Sequence, residues 1–579
     1  MLTSKNTTTD KKPIVSPTLS ILGSEFHMER RESYYMVQFR DVAGQVRTIR
    51  IGREKFIATP AVVAELLKAN ADLPDNPKDA VEVVRQAVAT RQTRTRQITS
   101  RTGWHGTSFV YPGETFGPLA GKLKHDGTSG IDPALGLKNG SLQAWKEGLK
   151  NPCEHSDYLI FAASIAFSGP LFDLAGEQEG VVFHYQPQHS APDNKGTKTK
   201  SSSGKTLAAR VAVSTIGRPQ KTDLVSFAMT QRASEDYCFS HNNLVGVLDE
   251  EGRALSGTGK HIRPSQLPYQ LTSGRGTLRS KKAIQDSDLQ NLTWMLPVIS
   301  TGEKPLDDPK NQPARMEGAR VRMAPISVPP GGDGGIFNRL HGSRDEIVKL
   351  AHPLARQVEQ TLTENYGVAM PAYLSKVVPA RSTLAPRVRR IMDKFVEKVG
   401  ANTDPWERWF AGKFGIVLAV EIFSAEFGLA PWRKERAFPA IRAIYQCSRA
   451  ASASVSEATD ALIGKLRTAL TAGHFPQLEK GQTMKPEDAG QAWGVSRTLP
   501  KHGPALIITL SRLQGLISPR AISSAVVAEL ANRSILIKAP DGKSTRQTMI
   551  LGLNGSERRR YVALKLGALI DTGQLGDRD

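Results

Sequence analysis

The chain has 579 residues, which is enough for about four domains, and its 39% of hydrophobic residues is ordinary for a folded globular protein. Its 77 lysines and arginines exceed its 56 aspartates and glutamates, and the net charge of +21 favours nucleic acid as a partner over a membrane. Three widely spaced cysteines indicate neither a disulfide framework nor a zinc site, and the amino terminus lacks the apolar core of a signal peptide, so we expect a cytoplasmic protein.

The first hundred residues predict a tail and a small module. Residues 1–20 are rich in Thr, Lys, Ser and Pro without apolar periodicity, which is typical of a disordered tail. Within an α+β module at 21–100, the alternation around Ala43 and Gly44 predicts a hairpin, and helices are expected at 60–70 and 77–90.

Two sequence features lie between the N-terminal module and the first candidate ligand-binding motif. Trp104 and His105 lie beside two glycines, a pattern more typical of a packing corner than of a base-stacking or acid/base pair. The apolar run 158–172 is shorter than the ~20 residues needed to cross a bilayer, so it predicts a buried helix.

A phosphate-binding loop is predicted at 200–206, between the strand-like run 180–184 and the helical run 207–213. Backbone N–H groups of such a loop and the following helix N-terminus bind nucleotide phosphates, while the Lys reaches the β/γ oxygens and the Thr hydroxyl takes Mg²⁺. The pattern therefore predicts binding of ATP and Mg²⁺ by Ser201, Ser202, Ser203, Gly204, Lys205 and Thr206.

The loop departs from the full pattern in two ways. Thr199 stands where the pattern has Gly, and a long insert separates the strand-like run from the loop. An ordinary surface loop, or a degenerate P-loop used for nucleotide sensing or for structure alone, therefore remains an alternative.

The apolar run 243–248 is followed by Asp249 and Glu250, which is a Walker B pattern. Asp249 at the end of a central strand can hold Mg²⁺, and Glu250 can polarise the attacking water. The order and the spacing of 44 residues from Lys205 to Asp249 are those of one P-loop domain.

A third strand at 294–299 ends in hydroxyl side chains, where Thr301 is the candidate for a sensor-1 residue that orients the water; a plain Ser/Thr/Gly turn is the alternative. Arg320, with Arg322 in reserve, precedes a further strand and is the candidate for an arginine finger that enters a neighbouring subunit's site. Both arginines could instead be surface charges.

The basic, glycine-punctuated loop 269–282 lies where a helicase ring would place a pore hairpin, although a simple exposed loop fits equally well. Its candidate contacts to single-stranded DNA are Arg275, Arg279, Lys281 and Lys282.

The remainder predicts a helical lid at 343–478, interrupted at Pro353, Pro371 and Pro431. In the lid, Arg408 and Lys413 could reach a nucleotide, but extension of both side chains to solvent is the favoured interpretation. After a linker, residues 489–579 fit a winged helix with its wing at 540–549 and Arg546 as a DNA contact; such modules bind duplex DNA or protein.

Several motifs together resemble a known family. They are the 101–112 stretch, 116–118, Trp145, 170–174, the Ser-Ser-Gly-Lys-Thr loop, the Leu-Asp-Glu strand, 300–303, 321–322 and 337–342. The chain resembles the bacterial P-loop family called domain of unknown function 927. That resemblance implies an AAA+-like core similar to replicative helicases of bacterial mobile elements, some of them MCM-like.

The expected fold is therefore α/β, with an AAA+-like P-loop ATPase core at 101–342, a helical lid, an N-terminal α+β module and a C-terminal winged helix. The expected function is an ATP-dependent DNA helicase or translocase in replication of a mobile genetic element, a ring-forming homo-oligomer with a hexamer favoured. The alternative is a DNA-binding protein with a degenerate P-loop. DNA packaging and defence proteins use similar sequence motifs, so the sequence does not separate these roles from replication.

Overall fold

The computed structural model describes residues 19–127, 132–188, 203–249, 266–277, 292–303, 322–402, 404–479, 482–484, 491–517, 523–539, 542–548 and 559–570.

The N-terminal region contains two sheets and two helices. Its elements are β1 (Ser20–His27), β2 (Glu32–Arg40), β3 (Val46–Gly52), α1 (Thr59–Lys68), α2 (Pro77–Ala89), β4 (Thr95–Thr99), β5 (Gly103–His105), β6 (Ser108–Tyr111), β7 (Glu114–Phe116) and β8 (Leu123–His125). The predicted hairpin is β2–β3, and both predicted helices form, with the Asn76 side chain capping α2. The first sheet has the order β3-β2-β1-β4-β8, so it continues beyond residue 100, where the sequence placed the module's end.

The described strands of the central sheet all pair in parallel, in the order β10-β11-β12-β9-β13. The elements of this core are α3 (Leu142–Glu154), α4 (Asp157–Ala175), β9 (Val181–Pro187), α5 (Lys205–Ile216), β10 (Val225–Ser226), α6 (Gln231–Ser240), β11 (Gly246–Asp249), α7 (Leu267–Thr272), β12 (Pro297–Thr301) and β13 (Met323–Val328). From β9 the chain continues to β10 at one edge of the sheet and returns towards β9 through β11 and β12. It then crosses to β13, which lies on the other side of β9. Such a reversal creates a crevice at the carboxyl ends of the strands, where ligands bind in open α/β sheets.

Helix α4 is the centre of the main hydrophobic core. It is the described helix that is long and apolar enough to cross a membrane, but its apolar window is 89% buried within the protein. A helix that is apolar on all sides belongs in an interior, so the predicted buried helix is confirmed. Its amino end lies on the site side of the sheet, where the Ser156 hydroxyl donates to the Ile336 carbonyl at 2.5 Å.

Five helices follow the sheet: α8 (Arg344–Glu364), α9 (Ala369–Val377), α10 (Arg381–Lys398), α11 (Pro405–Glu426) and α12 (Ala437–Ala451). The predicted break at Pro353 was wrong, because α8 continues through it, held by a Ser343–Glu346 capping box and by burial of Leu354 and Val358. Pro371 lies in the first turn of α9, where a missing N–H has little cost.

The last elements are α13 (Val455–Thr471), β14 (Gly494–Leu499), β15 (Gly503–Thr509), α14 (Leu510–Leu516), α15 (Ser523–Asn532), β16 (Leu536–Ile537), β17 (Arg546–Thr548), β18 (Arg559–Lys565) and α16 (Leu566–Ile570). The sheet is antiparallel in the order β14-β15-β18-β16, and β17 pairs with β18. Leu462 and Leu466 of α13 share a core with Leu506 and Val562 of this sheet. Helix α13, assigned to the lid from the sequence, therefore packs with the C-terminal unit.

Candidate nucleotide-binding site

The first turn of α5 lies at the carboxyl edge of the parallel sheet. Its cap residue, Gly204, has φ +85°, which favours glycine, and a Cβ there would lie 2.8 Å from the side chain of Ile336. Lys205 and Thr206 follow directly as the first helical residues. The glycine therefore allows both the sharp entry into the helix and the close approach of the neighbouring segment.

Asp249, the last residue of β11, accepts hydrogen bonds from two threonines through the same oxygen. The Thr206 hydroxyl lies 3.1 Å from Asp249 Oδ1, and the Thr301 hydroxyl donates to that atom as well. The arrangement follows from the strand register, because β11 and β12 are neighbours with Leu248 opposite Ser300. Three residues predicted separately from three motifs thus meet at one buried carboxylate.

Lys205 is only 7% exposed and needs a counter-charge. Its Nζ donates to Ser203 Oγ at 3.2 Å and to Glu303 Oε1 at 3.0 Å, whereas the Glu303 side chain is 67% exposed. No sequence motif indicated a role for Glu303. Its position two residues beyond Thr301, the last residue of the strand next to β9, is the signal that could have found it.

The segment after β13 supports the loop from the other side. The Ile336 N–H donates to the Ser203 carbonyl at 2.9 Å, and Gly335 has φ +58°. A Cβ at Gly335 would lie 2.5 Å from that same carbonyl oxygen. This backbone contact comes from a distant part of the chain, and no local sequence pattern indicated it.

Several predicted site residues lie outside the described residues. They are Ser201, Ser202, Glu250, Arg279, Lys281, Lys282 and Arg320. Arg546 is in β17, but its side chain is not described.

Two predicted arginines lie at the opposite, amino edge of the sheet. Arg275 forms an antiparallel bridge with Thr293, which lies just before β12. Arg322 pairs with Glu179 at 3.2 Å and lies 5.4 Å from the Tyr269 ring centroid. Arg322, the reserve candidate for a finger, is therefore held by contacts within its own chain.

The lid residue Lys413 lies at this amino edge too. It is 1% exposed, pairs with Glu177 and donates to the Glu179 carbonyl at 3.1 Å. Burial lowers the pKa of this ammonium, opposed by the charge of Glu177. The interpretation that Lys413 extends to solvent was wrong, whereas Arg408 is a surface residue paired with Asp393 at 2.9 Å.

The fold is thus mixed α/β, with a parallel sheet and polar side chains gathered at its carboxyl edge. Residues 1–285 match the family model described as "Domain of unknown function (DUF927)", so the chain carries a domain of this family and the resemblance is confirmed. The match includes the N-terminal module, α5 and β11.

Among solved structures, the chain is similar to one described as "SCCmec type IV Cch - active helicase". The two have a TM-score of 0.56 and 13% sequence identity, over 95% of this chain and 94% of that chain. At this identity the similarity establishes a common fold. No curated protein matches the sequence.

Proposed function

We propose that this protein is an AAA+-like ATPase that couples ATP hydrolysis to unwinding of DNA or to movement along it. The observation that carries the proposal is the meeting of Thr206, Asp249 and Thr301 beside the buried Lys205 at the carboxyl edge of the sheet. A phosphate-binding lysine, a metal-binding hydroxyl and carboxylate, and a polar sensor are the parts that phosphoryl transfer requires.

The side chains present fit a nucleotide with Mg²⁺. Lys205 would bind the β/γ oxygens, since its ammonium is already placed to receive an anionic oxygen. Asp249 and Thr206 offer the carboxylate and hydroxyl oxygens that Mg²⁺ prefers, and the ion when bound would neutralise phosphate charge. Thr301 would keep the Asp249 carboxylate in one orientation.

Hydrolysis needs two further groups. Glu250 follows Asp249 in the chain and is proposed to accept the proton of the attacking water. Arg320 is proposed to act from the adjacent subunit, which requires a ring; we propose a homo-oligomer, with a hexamer favoured.

DNA is the proposed polymer. The similarity in fold to a chain described as an active helicase supports this, as does the net charge of +21. We propose that the basic loop 269–282 contacts single-stranded DNA in the ring pore through Arg275, Arg279, Lys281 and Lys282.

The C-terminal unit is proposed to be a winged helix that binds duplex DNA. Residues 491–570 contain twelve lysines and arginines against three acidic residues, and β17, which carries Arg546, lies in the segment predicted as the wing. We further propose that the protein acts in the cytoplasm in replication of a mobile genetic element.

The test is ATP hydrolysis by the full chain with and without single-stranded DNA. The wild type should hydrolyse ATP and respond to DNA, and Lys205→Ala should lose both. Lys221→Ala, which removes an exposed lysine just beyond α5, is the matched control and should behave as the wild type. If the wild type binds DNA and nucleotide but does not hydrolyse ATP, the protein is instead a DNA-binding protein with a degenerate P-loop.

A further inference from the structure

We propose that Glu303 is an internal competitor of the nucleotide: its carboxylate holds Lys205 until a nucleotide phosphate displaces it. The inference rests on the proposed function and concerns regulation of the same site. Its basis is the 3.0 Å ion pair between Lys205 Nζ and Glu303 Oε1.

The backbone fixes Glu303 next to the loop. The Gly302 N–H donates to the Tyr185 carbonyl at 3.0 Å, which extends the pairing of β12 with β9 by one residue beyond Thr301. Residue 303 therefore follows directly from the strand that neighbours β9, at the edge where α5 begins. The side chain can reach Lys205 because the two strands are adjacent.

The two partners differ in how far they are exposed to solvent. Lys205 is 7% exposed and also donates to Ser203, so its ammonium is held in place. Glu303 is 67% exposed, so its carboxylate can leave the ion pair and be solvated by water. The carboxylate is consequently the partner that moves when another anion arrives.

A phosphate oxygen and the Glu303 carboxylate would compete for the same ammonium. A buried ammonium is stable only with a counter-charge, and either anion can supply it. The nucleotide offers more negative charge, and it would also repel a carboxylate that stayed nearby. Nucleotide binding thus exchanges one counter-ion for another, and the apparent affinity is reduced by the fraction of protein in which Glu303 holds Lys205.

The experiment is equilibrium binding of a fluorescent ATP analogue with Mg²⁺ to the full chain. Glu303→Gln should bind about two- to fivefold more tightly than the wild type, as expected for the loss of a competing ion pair with one exposed partner. The matched control is Glu359→Gln, because Glu359 is 59% exposed and pairs with Arg210 of the same helix α5 at 3.6 Å. The control should leave the affinity unchanged.

The outcomes separate the inference from the proposed function. Unchanged or weaker binding by Glu303→Gln, with normal binding by the wild type, would overturn the competition and leave the nucleotide site intact. A similar gain in Glu359→Gln would also overturn it, because any loss of negative charge near α5 would then suffice. Binding by none of the variants would overturn the proposed function itself, and the competition with it.

Discussion

Thr301 and Asp249 are joined by a hydrogen bond from the threonine hydroxyl to Oδ1 of the carboxylate, between the ends of two adjacent parallel strands. The same oxygen accepts from Thr206, so β11, β12 and α5 meet at one atom. This contact makes the orientation of the proposed metal-binding carboxylate depend on β12 as well as on β11 and α5.

Thr301→Val should therefore lower turnover more than binding. Hydrogen bonds to charged groups are worth about 1.5–3 kcal/mol, so kcat should fall by roughly 10- to 100-fold while the Kd for ATP changes little. Thr301→Ser keeps the hydroxyl and should keep most of the activity. A valine variant with wild-type kcat would show that the Thr301 hydroxyl has no role in turnover. The measurements are steady-state kinetics for kcat and a separate titration for the Kd of ATP.

Gly335→Ala should disturb the backbone contact between residues 335–336 and Ser203 of the phosphate-binding loop. A side chain at φ +58° is strained, and its Cβ would lie 2.5 Å from the Ser203 carbonyl oxygen. We expect a loss of about 1–3 kcal/mol in unfolding free energy together with weaker ATP binding. Gly400→Ala is the control, since Gly400 has φ +74° with no atom within 4 Å of its Cβ position. Calorimetry and ATP titration on both variants should show that only Gly335→Ala loses affinity.

The stability of the N-terminal module should fall as pH rises. Burial opposes a charge on His27, but hydrogen bonds to Asp126 and Glu29 outweigh it and raise the pKa of the imidazole. The ring nitrogens lie 3.1 Å from Asp126 and 3.2 Å from Glu29. A raised pKa in the folded state gives stability that is complete below the unfolded pKa of about 6.5 and is lost as pH passes through the folded value.

The measurement that checks the charge on His27 is the melting temperature of the wild type and of His27→Gln across a pH series. The difference between the two proteins should be largest below about pH 6.5 and should shrink as the pH increases. A difference that is constant with pH would contradict the assignment of a charged His27.

Lys413→Met should destabilise the fold without affecting nucleotide binding. The change leaves the carboxylate of Glu177, which is 17% exposed, without its partner, and loss of one member of a buried pair costs about 3–5 kcal/mol. Arg408→Met removes an exposed pair, so its cost should be about 0–1 kcal/mol. A selective loss of ATP affinity in Lys413→Met, at unchanged stability, would restore the interpretation that Lys413 reaches the nucleotide.

The sequence could predict the parts of the site that have local patterns. Lys205, Thr206 and Asp249 lie in short motifs that each follow a predicted strand. Thr301 also follows a predicted strand, and the carboxyl ends of parallel strands lie at the same edge of a sheet, so the four residues are expected to lie close together. Glu303 and Gly335 were missed because their roles come from contacts between segments far apart in the chain.

The fold was predictable to a similar extent. The apolar run of α4 and the periodicity of α11 indicate their helices, but the proline at 353 predicts a break that tertiary packing overrides. The sequence of α13 shows an apolar face but does not show which core that face packs against, so the sequence alone could not separate this helix from the lid.

The measurement that tests the central claim most directly is steady-state hydrolysis of MgATP, with single-stranded DNA, by the wild type and Asp249→Asn. Asparagine keeps the shape of the side chain but removes the charge that would hold Mg²⁺ beside Thr206. We predict DNA-stimulated turnover by the wild type and a loss of about 100-fold or more in the variant, of the order seen when one charged group of a phosphoryl-transfer site is removed. Equal turnover by the two proteins would contradict the account.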